Sequence, residues 1–362
     1  MKLLRGSSTP LAAAGHSLRR YADRWLLAGT AFATAAAVWG ASVTIERRLF
    51  EHVIVLDITQ SMNVEDTMLA GKPVSRLALA KHALRESLTR LPCGSKVGWA
   101  VFTEYRSFLL FAPVEVCANL RELRATLDRI DGRMAWTGNS EVAKGLYAGI
   151  AIASQLPERP SVVFVSDGHE APPINPRHRP RFNGVPGDIA GLVVGVGNLK
   201  PMPIPKTGPT GAPLGFWGAD EVMQVDPRTA GRGGSVGSEK MVEDPDAPVV
   251  ALPVPPPGAE HLSSLREAYL QLLAGETGMR YHRLVDTPGL VRALTQQALA
   301  KPVTARTDIS PLLAAVALAL MLARHGNQWA TLWHRLRRLA SPQPAVHRAS
   351  RNAVARSSPP RL

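Results

Sequence analysis

Between residues 46 and 300, short apolar segments rich in β-branched residues alternate with segments of helical periodicity. Strands separated by helices need crossover connections, so this alternation predicts an α/β fold with a mostly parallel, doubly wound sheet. Only "TEYRS" separates the second and third strands, which predicts one antiparallel edge strand. The six predicted strands are residues 53–56, 97–102, 108–111, 162–165, 192–196 and 279–284.

The predicted helices repeat apolar residues at helical spacing. In the first of them, Leu77, Leu84 and Leu88 fall on one face. Two long loops rich in Pro, 170–187 and 198–258, interrupt the pattern, and loops of this length are usually functional or disordered. The five predicted helices are residues 75–91, 117–130, 140–156, 259–278 and 287–300.

The formal net charge of +13 is concentrated at the two ends of the chain. Residues 1–24 contain five Lys or Arg and one acidic residue, and residues 309–362 contain eight Arg and no acidic residue. The region between them is nearly neutral. This distribution argues against a basic nucleic-acid groove on the folded domain.

Each basic end adjoins an apolar run. Residues 25–45 contain no charge over 21 positions, and about 20 residues suffice to span a bilayer. Residues 309–323 are fewer, and a second span is favoured there because Arg324, His325 and Trp329 follow as interfacial anchors would. A cleaved signal peptide is the alternative for the first run, and a buried core helix for the second.

The positive-inside rule places both termini in the cytoplasm and the domain between the spans outside it. For a bacterium, this predicts an inner-membrane protein whose domain lies in the periplasm. The predicted order is a basic cytoplasmic tail (1–24), a transmembrane helix (25–45), a periplasmic domain (46–300), a linker (301–308), a second transmembrane helix (309–323) and a basic cytoplasmic tail with an amphipathic helix (324–362).

Polar side chains follow several predicted strands, and ligands of open parallel sheets bind outside the carboxyl ends of the strands. The segment "DITQS" places Asp57, Thr59 and Ser61 at alternate positions after the first strand. Ser140 opens a predicted helix, and Asp167 ends the fourth strand. Two carboxylates and three hydroxyls suit a hard divalent ion such as Mg²⁺, Mn²⁺ or Ca²⁺, and do not suit zinc.

The segment "VIVLDITQSM", with "SDG" at a later strand end, resembles the von Willebrand factor A domain and its metal-ion-dependent adhesion site. Asp57 and Ser61 match the family's D-x-S-x-S pattern, and Thr59 keeps the hydroxyl of the middle Ser. Asp167 matches the Asp of the third loop, and Ser140 takes the place of the Thr of the second loop. The resemblance implies the strand order 3-2-1-4-5-6.

Three further residues near the motif have two interpretations each. Thr137 is the alternative to Ser140 as the second-loop ligand. Glu65 and Asp66 are interpreted as capping carboxylates of the segment after the motif, and the alternative is an outer shell that attracts the cation.

The segments "SMNVEDT", "SRLALAKHAL" and "LLAGETGMRYHR" make the resemblance closest to membrane-anchored bacterial proteins of the Bat aerotolerance type. The segments "LPCGSKVGWAVFTEYRS" and "GVGNLKPMPIPK" also resemble MxaL-type methanol dehydrogenase maturation proteins. This implies a non-enzymatic factor that holds one divalent ion, with Mg²⁺ favoured over Ca²⁺ or Mn²⁺, and binds a partner protein through the partner's acidic side chain. The implied client is a periplasmic quinoprotein methanol dehydrogenase or its maturation machinery, with calcium insertion as the process. The alternative is a Bat-type envelope assembly or stress scaffold.

The implied strand order also bears on the two cysteines. Cys93 precedes the second strand, and the antiparallel third strand returns the chain near Cys117 to the same end of the sheet. A disulfide between them is therefore expected in an oxidising compartment, with two free thiols as the alternative.

A hydrolase is the distant alternative. The segment "DITQS" also resembles the D-x-D-x-[TS] motif of haloacid-dehalogenase enzymes, in which the first Asp is the nucleophile. Thr59 stands at the place of the second aspartate, which transfers the proton, so this interpretation is disfavoured.

Overall fold

A computed structural model describes residues 11–174, 179–208, 210–225 and 258–340. The chain divides into two compact units, one of residues 46–303 and one formed by the segments before and after them. The predicted tails and the two long loops lie partly outside the described residues.

The elements alternate as the sequence predicts. The helices are α1 (Leu11–Val38), α2 (Arg76–Leu88), α3 (Leu120–Arg129), α4 (Val142–Gln155), α5 (Glu267–Thr277), α6 (Thr287–Leu294) and α7 (Ser310–Ala340). The strands are β1 (Ser42–Asp57), β2 (Thr67–Leu69), β3 (Lys72–Val74), β4 (Lys96–Thr103), β5 (Arg106–Leu109), β6 (Val114–Glu115), β7 (Ser161–Ser166), β8 (Gly191–Gly195), β9 (Met202–Pro203), β10 (Pro205–Thr207), β11 (Pro213–Phe216), β12 (Leu262–Ser263), β13 (Arg280–Arg283) and β14 (Ala300–Asp308).

The main sheet has the order β13-β8-β7-β1-β4-β5. Neighbouring strands from β13 to β4 are parallel, and β5 is antiparallel to β4. The mostly parallel sheet and its antiparallel edge strand are therefore confirmed. In terms of the six predicted strands, this is the order that the resemblance implies.

The prediction of six strands is wrong, because the sheet has eight. The two-residue strand β6 pairs with β4, and β14 pairs with β1, which is 16 residues long. Residues 301–308 therefore form a strand and not the predicted linker. They were missed because β14 and the first half of β1 are largely exposed, so neither shows the apolar run of a buried strand.

The two predicted transmembrane helices are not found. Among the described residues, no helix is long and apolar enough to cross a membrane. The predicted first span is divided between α1, which ends at Val38, and β1, which begins at Ser42. The predicted second span lies within α7, which continues through Arg324 and His325.

The domain of residues 46–303 has an apolar core on each face of the sheet. The second half of β1, from His52 to Asp57, is buried on both faces, so Ile54 and Leu56 point to one core and Val53 and Val55 to the other. Helices α2, α3 and α6 cover the first core, and α4 and α5 cover the second. The sheet is thereby fixed between two helical layers, with its carboxyl ends leading into loops.

A disulfide joins Cys93 and Cys117, whose Cα atoms are 5.3 Å apart. Cys93 precedes β4, and Cys117 follows β6, which pairs with the first residues of β4. The disulfide therefore lies at the amino end of β4, away from the loops that follow β1 and β7.

Gly145 determines how closely α4 approaches the sheet, and an alanine there should destabilise the domain. A Cβ at Gly145 would lie 2.1 Å from a ring carbon of Phe102, which is fully buried in β4. We expect Gly145→Ala to lower the free energy of unfolding by about 1–3 kcal/mol, measured by chemical denaturation. Gly275→Ala in α5 is the matched control, because its Cβ would meet no atom within 4 Å. That variant should be neutral or stabilising by up to about 1 kcal/mol, and equal losses in both variants would contradict the packing described here.

Candidate metal centre

Asp57 ends β1 and is fully buried, with both carboxylate oxygens satisfied. Its Oδ1 accepts hydrogen bonds from the backbone N–H (2.9 Å) and the hydroxyl (2.7 Å) of Thr59. Its Oδ2 accepts from the hydroxyl of Ser166, at the end of β7, at 2.7 Å. Asp57 therefore fixes the hydroxyl of Thr59 and ties the ends of two neighbouring strands together.

The hydroxyls of Thr59 and Ser61 lie side by side and lead to Asp167. Their oxygens are 3.3 Å apart, and the Ser61 hydroxyl donates to Asp167 Oδ1 at 3.2 Å. Neighbouring ligand oxygens of an octahedral Mg²⁺ ion are roughly 3 Å apart, given Mg–O distances of about 2.1 Å. The separation of these three oxygens therefore fits adjacent ligand positions of such an ion.

Ser140 approaches the same place from the loop before α4. Its backbone N–H donates to the carbonyl of Ala171 at 2.7 Å, and its carbonyl accepts from the N–H of Ala171 at 2.8 Å. The residue is buried, yet its hydroxyl has no hydrogen-bond partner among the described residues. Ser140, Thr59 and Ser61 line one cavity of about 180 Å³. An unpaired buried hydroxyl costs about 1–3 kcal/mol, which a ligand in the cavity would offset.

The structure thus brings the three predicted hydroxyls to one cavity and places the two carboxylates behind them. Thr137 is not part of this group, because it does not line the cavity and its hydroxyl accepts from the N–H of Asn139 at 3.1 Å. The predicted ligands that come together here are all oxygen donors, and this set fits a hard divalent cation.

The predicted capping role of Glu65 and Asp66 is wrong. Glu65 is exposed, and the N-cap of α2 is Ser75, whose hydroxyl accepts from the N–H of Ala78 at 3.2 Å. The carboxylate of Asp66 is instead bound to Arg76, because a buried guanidinium needs a counter-charge.

Arg76 is the site residue that the sequence analysis missed. It is the first residue of α2 and is fully buried. Its Nη1 donates to Asp167 Oδ2 at 2.5 Å and to the Ser263 hydroxyl at 2.7 Å, and its Nη2 donates to Asp66 Oδ2 at 2.6 Å. A cation in the first turn of a helix opposes the helix dipole. That misplaced charge was the only local signal that Arg76 has carboxylate partners.

The two buried carboxylates differ in their electrostatics. Burial, followed by the negative charge of Asp167, raises the pKa of Asp57 to about 7. Burial would also raise the pKa of Asp167, but the guanidinium of Arg76 and the hydrogen bonds from the His169 N–H and the Ser61 hydroxyl act together against it, and the pKa is lowered. Burial lowers the pKa of His169, which also lines the cavity, to about 4. The site therefore holds an ionised Asp167 and a neutral imidazole.

A second cluster of metal-type ligands does not form a metal site. Among the described residues, Cys93, Glu115 and Cys117 come close enough to share an ion. The two sulfurs are joined in the disulfide, so no thiolate is present, and the Glu115 carboxylate accepts from the N–H of Gly94 and of Ala118.

No family model and no curated protein matches this chain. Among solved structures it is similar to an aerotolerance-related membrane protein from Bacteroides fragilis, at 19% identity and a TM-score of 0.42, over 69% of this chain and 98% of that one. It is also similar to a von Willebrand factor type A protein from Catenulispora acidiphila, at 10% identity and 0.33, over 71% and 44% of the two chains. A third similar structure is a manganese-loaded TRAP protein from Plasmodium vivax, at 10% and 0.33, over 74% and 81%.

Glu170 connects the cavity to α4. Its carboxylate accepts from the N–H of Ala143 at 3.1 Å and from the hydroxyl of Tyr269 at 2.6 Å. Burial raises its pKa to about 7, and the nearby charge of Glu141 acts in the same direction. The folded domain therefore holds a proton on Glu170 more tightly than the unfolded chain does.

We expect Glu170→Gln to reduce the pH dependence of stability. Because the folded pKa is about 7 and the ordinary value is 4.5, the wild type should lose stability as pH rises between these values. Glu170 should account for a decrease of up to roughly 3 kcal/mol in the free energy of unfolding over this pH range, and Glu170→Gln should not show this decrease. Denaturant titrations at a series of pH values measure this, with the exposed Glu65→Gln as the matched control. A Glu170→Gln curve parallel to that of the wild type would contradict the prediction.

Proposed function

We propose that this chain is a non-enzymatic, metal-dependent protein-binding factor. One divalent cation is held by Thr59, Ser61, Ser140 and Asp167, while Asp57 fixes Thr59 and contributes its charge from behind. The observation that carries the proposal is the buried hydroxyl of Ser140, which has no hydrogen-bond partner among the described residues and belongs to a residue that lines the same cavity as Thr59 and Ser61. A cation at this place would give each of these oxygens a partner.

Mg²⁺ is the favoured ion, with Mn²⁺ and Ca²⁺ as alternatives. Its octahedral shell commonly combines one or two carboxylates with water and neutral oxygens, as this set offers. A bound ion with few protein charges around it attracts an anionic oxygen ligand. A Glu or Asp side chain of a partner protein is proposed to complete its coordination from the cavity.

The surroundings of the cavity support a protein partner. Trp217 and Ile204 line it, and the Trp217 Nε1–H donates to the side chain of Gln60, next to the ligand hydroxyls. The segment that carries Trp217 also exposes Phe216 and Met223, which are 62% and 57% accessible. Exposed apolar side chains gathered around a polar site are typical of protein interaction surfaces.

The geometry of Asp57 disfavours the hydrolase alternative. An aspartyl nucleophile must present an oxygen to its substrate, but Asp57 is fully buried and both its oxygens accept hydrogen bonds. Thr59 stands at the position where a proton-transferring aspartate would be needed, and its hydroxyl donates a hydrogen bond to Asp57.

The client and the location stay predictions. The disulfide is consistent with an oxidising compartment such as the periplasm. A quinoprotein methanol dehydrogenase, or its maturation machinery with calcium insertion, remains the proposed client. A Bat-type envelope scaffold is the alternative.

We expect Ser140→Ala to weaken cation binding without destabilising the metal-free protein. The variant removes one proposed ligand, but it breaks no side-chain hydrogen bond because the hydroxyl makes none. Titration calorimetry of the full chain with Mg²⁺ and with Mn²⁺ should show an affinity loss of about tenfold or more, equivalent to about 1.4 kcal/mol. Ser154→Ala, an exposed serine of α4, is the matched control and should bind like the wild type. Unchanged affinity in Ser140→Ala would refute its role as a ligand.

A further inference from the structure

Arg76 lies where several loops at the carboxyl end of the sheet converge. Its guanidinium contacts Asp66 after β1, Asp167 after β7 and Ser263 in β12. The loop after β8 approaches it so closely that a Cβ at Gly197 would lie 2.6 Å from its Nε. The backbone there has a φ of +123°, which favours glycine. The loops are thus built around a charged side chain.

The charge of Arg76 is shared with the proposed metal centre. Asp167 accepts from Ser61 through Oδ1 and from Arg76 through Oδ2, so one carboxylate faces the ligand hydroxyls and the guanidinium at once. Arg76 is fully buried, and the charges of Asp167 and Asp66 raise its pKa against the effect of burial. It therefore stays cationic. Arg266 also interacts with Asp167, and the charge of Arg266 is opposed by Glu260.

The balance of these charges bears on what the site binds. Asp57, Asp66 and Asp167 together offer three negative charges, and Arg76 offsets one of them. With a divalent cation added, the cluster is neutral overall. Without Arg76 the same loaded cluster would carry one net negative charge, which would oppose the approach of an anionic ligand. In a buried site, such a difference is only weakly screened by solvent.

We propose that Arg76 is a fixed counter-cation of the metal centre: it shares Asp167 with the metal, limits the affinity for the metal, and keeps the loaded site from carrying a net negative charge, so that an anionic carboxylate ligand is favoured. This inference rests on the proposed function and adds the selection of the ligand's charge to it. The simpler alternative is that Arg76 only connects the loops. The two roles predict different changes in Mn²⁺ affinity when the charge of Arg76 or of Asp66 is removed.

Mn²⁺ binding to the full chain, followed by electron paramagnetic resonance of the free ion, separates these roles. Arg76→Gln removes the positive charge and should bind Mn²⁺ about tenfold tighter or more. Asp66→Asn removes a negative charge while keeping an oxygen acceptor for Arg76, and should bind Mn²⁺ more weakly by a similar factor. Arg76→Lys keeps the charge and should stay close to the wild type.

If Arg76→Gln and Asp66→Asn change the Mn²⁺ affinity in the same direction, the inference is overturned. If Arg76 only connects the loops, Arg76→Gln and Asp66→Asn should both weaken Mn²⁺ binding. If Arg76→Gln does not fold, the other two variants still decide, because weak binding by Arg76→Lys or unchanged binding by Asp66→Asn would contradict a role of charge.

Acetate, added as the probe for a partner's carboxylate, gives a second readout. Acetate that enters the coordination sphere displaces water from bound Mn²⁺ and lowers the water-proton relaxation rate. The wild type should respond at lower acetate concentration than Arg76→Gln, and an equal or stronger response of the variant would overturn the selection of anions. A wild type that binds no Mn²⁺ would instead refute the proposed function itself.

Discussion

The ion pairs of Arg76 with Asp66 and Asp167 are the interaction on which the carboxyl end of the sheet depends. A buried carboxylate without a partner loses several kcal/mol of solvation, so Asp167 could not stay ionised at the end of β7 by itself. The guanidinium, with Nη1 at 2.5 Å from Asp167 and Nη2 at 2.6 Å from Asp66, compensates both acids. It leaves Asp57 without an ionic partner, and this is the carboxylate whose pKa is raised to about 7.

This imbalance is what makes the site suitable for a cation. The hydrogen bonds of Thr59 and Ser166 hold Asp57 in place, but they do not neutralise its charge. Ser140 adds a hydroxyl whose lone pairs are unused in the metal-free domain. A divalent ion would satisfy both deficits together. The loops are prepared for it, since Gly168 at φ +78° turns the chain so that the N–H of His169 donates to Asp167 Oδ1 at 2.9 Å.

Sequence reasoning reached the parts of this arrangement that depend on local pattern. The strand that ends at Asp57 is a continuous apolar run, and alternate positions after it carry Thr59 and Ser61, so both could be placed without any tertiary contact. Arg76 could not be placed in this way. Its partners Asp66, Asp167 and Ser263 are 10, 91 and 187 residues away in the chain, and no local periodicity relates them.

The errors of the sequence reasoning have a similar origin. The predicted helix 259–278 begins only at Glu267, because Leu262 and Ser263 pair with β9 instead. The leucines at 262 and 265 fit helical spacing, and only the contact with a distant strand overrides it. Likewise, the apolar run 25–45 continues into β1, whose pairing with β14 could not be read from hydropathy.

The amino and carboxyl ends of the sheet differ in whether their buried and charged groups are satisfied within the domain. At the amino ends, the disulfide and the charged pairs of Lys96 with Glu51 and Glu158 close the domain with interactions that need no ligand. At the carboxyl ends, polar groups are buried with the charge of Asp57 uncompensated and the hydroxyls of Thr103 and Ser140 unpaired among the described residues. Such a cost is tolerable only if the rest of the domain supplies the stability, and the two apolar cores and the covalent link do so. The site can therefore stay incomplete until a cation and a partner's carboxylate fill it, which is the condition for binding that depends on the metal.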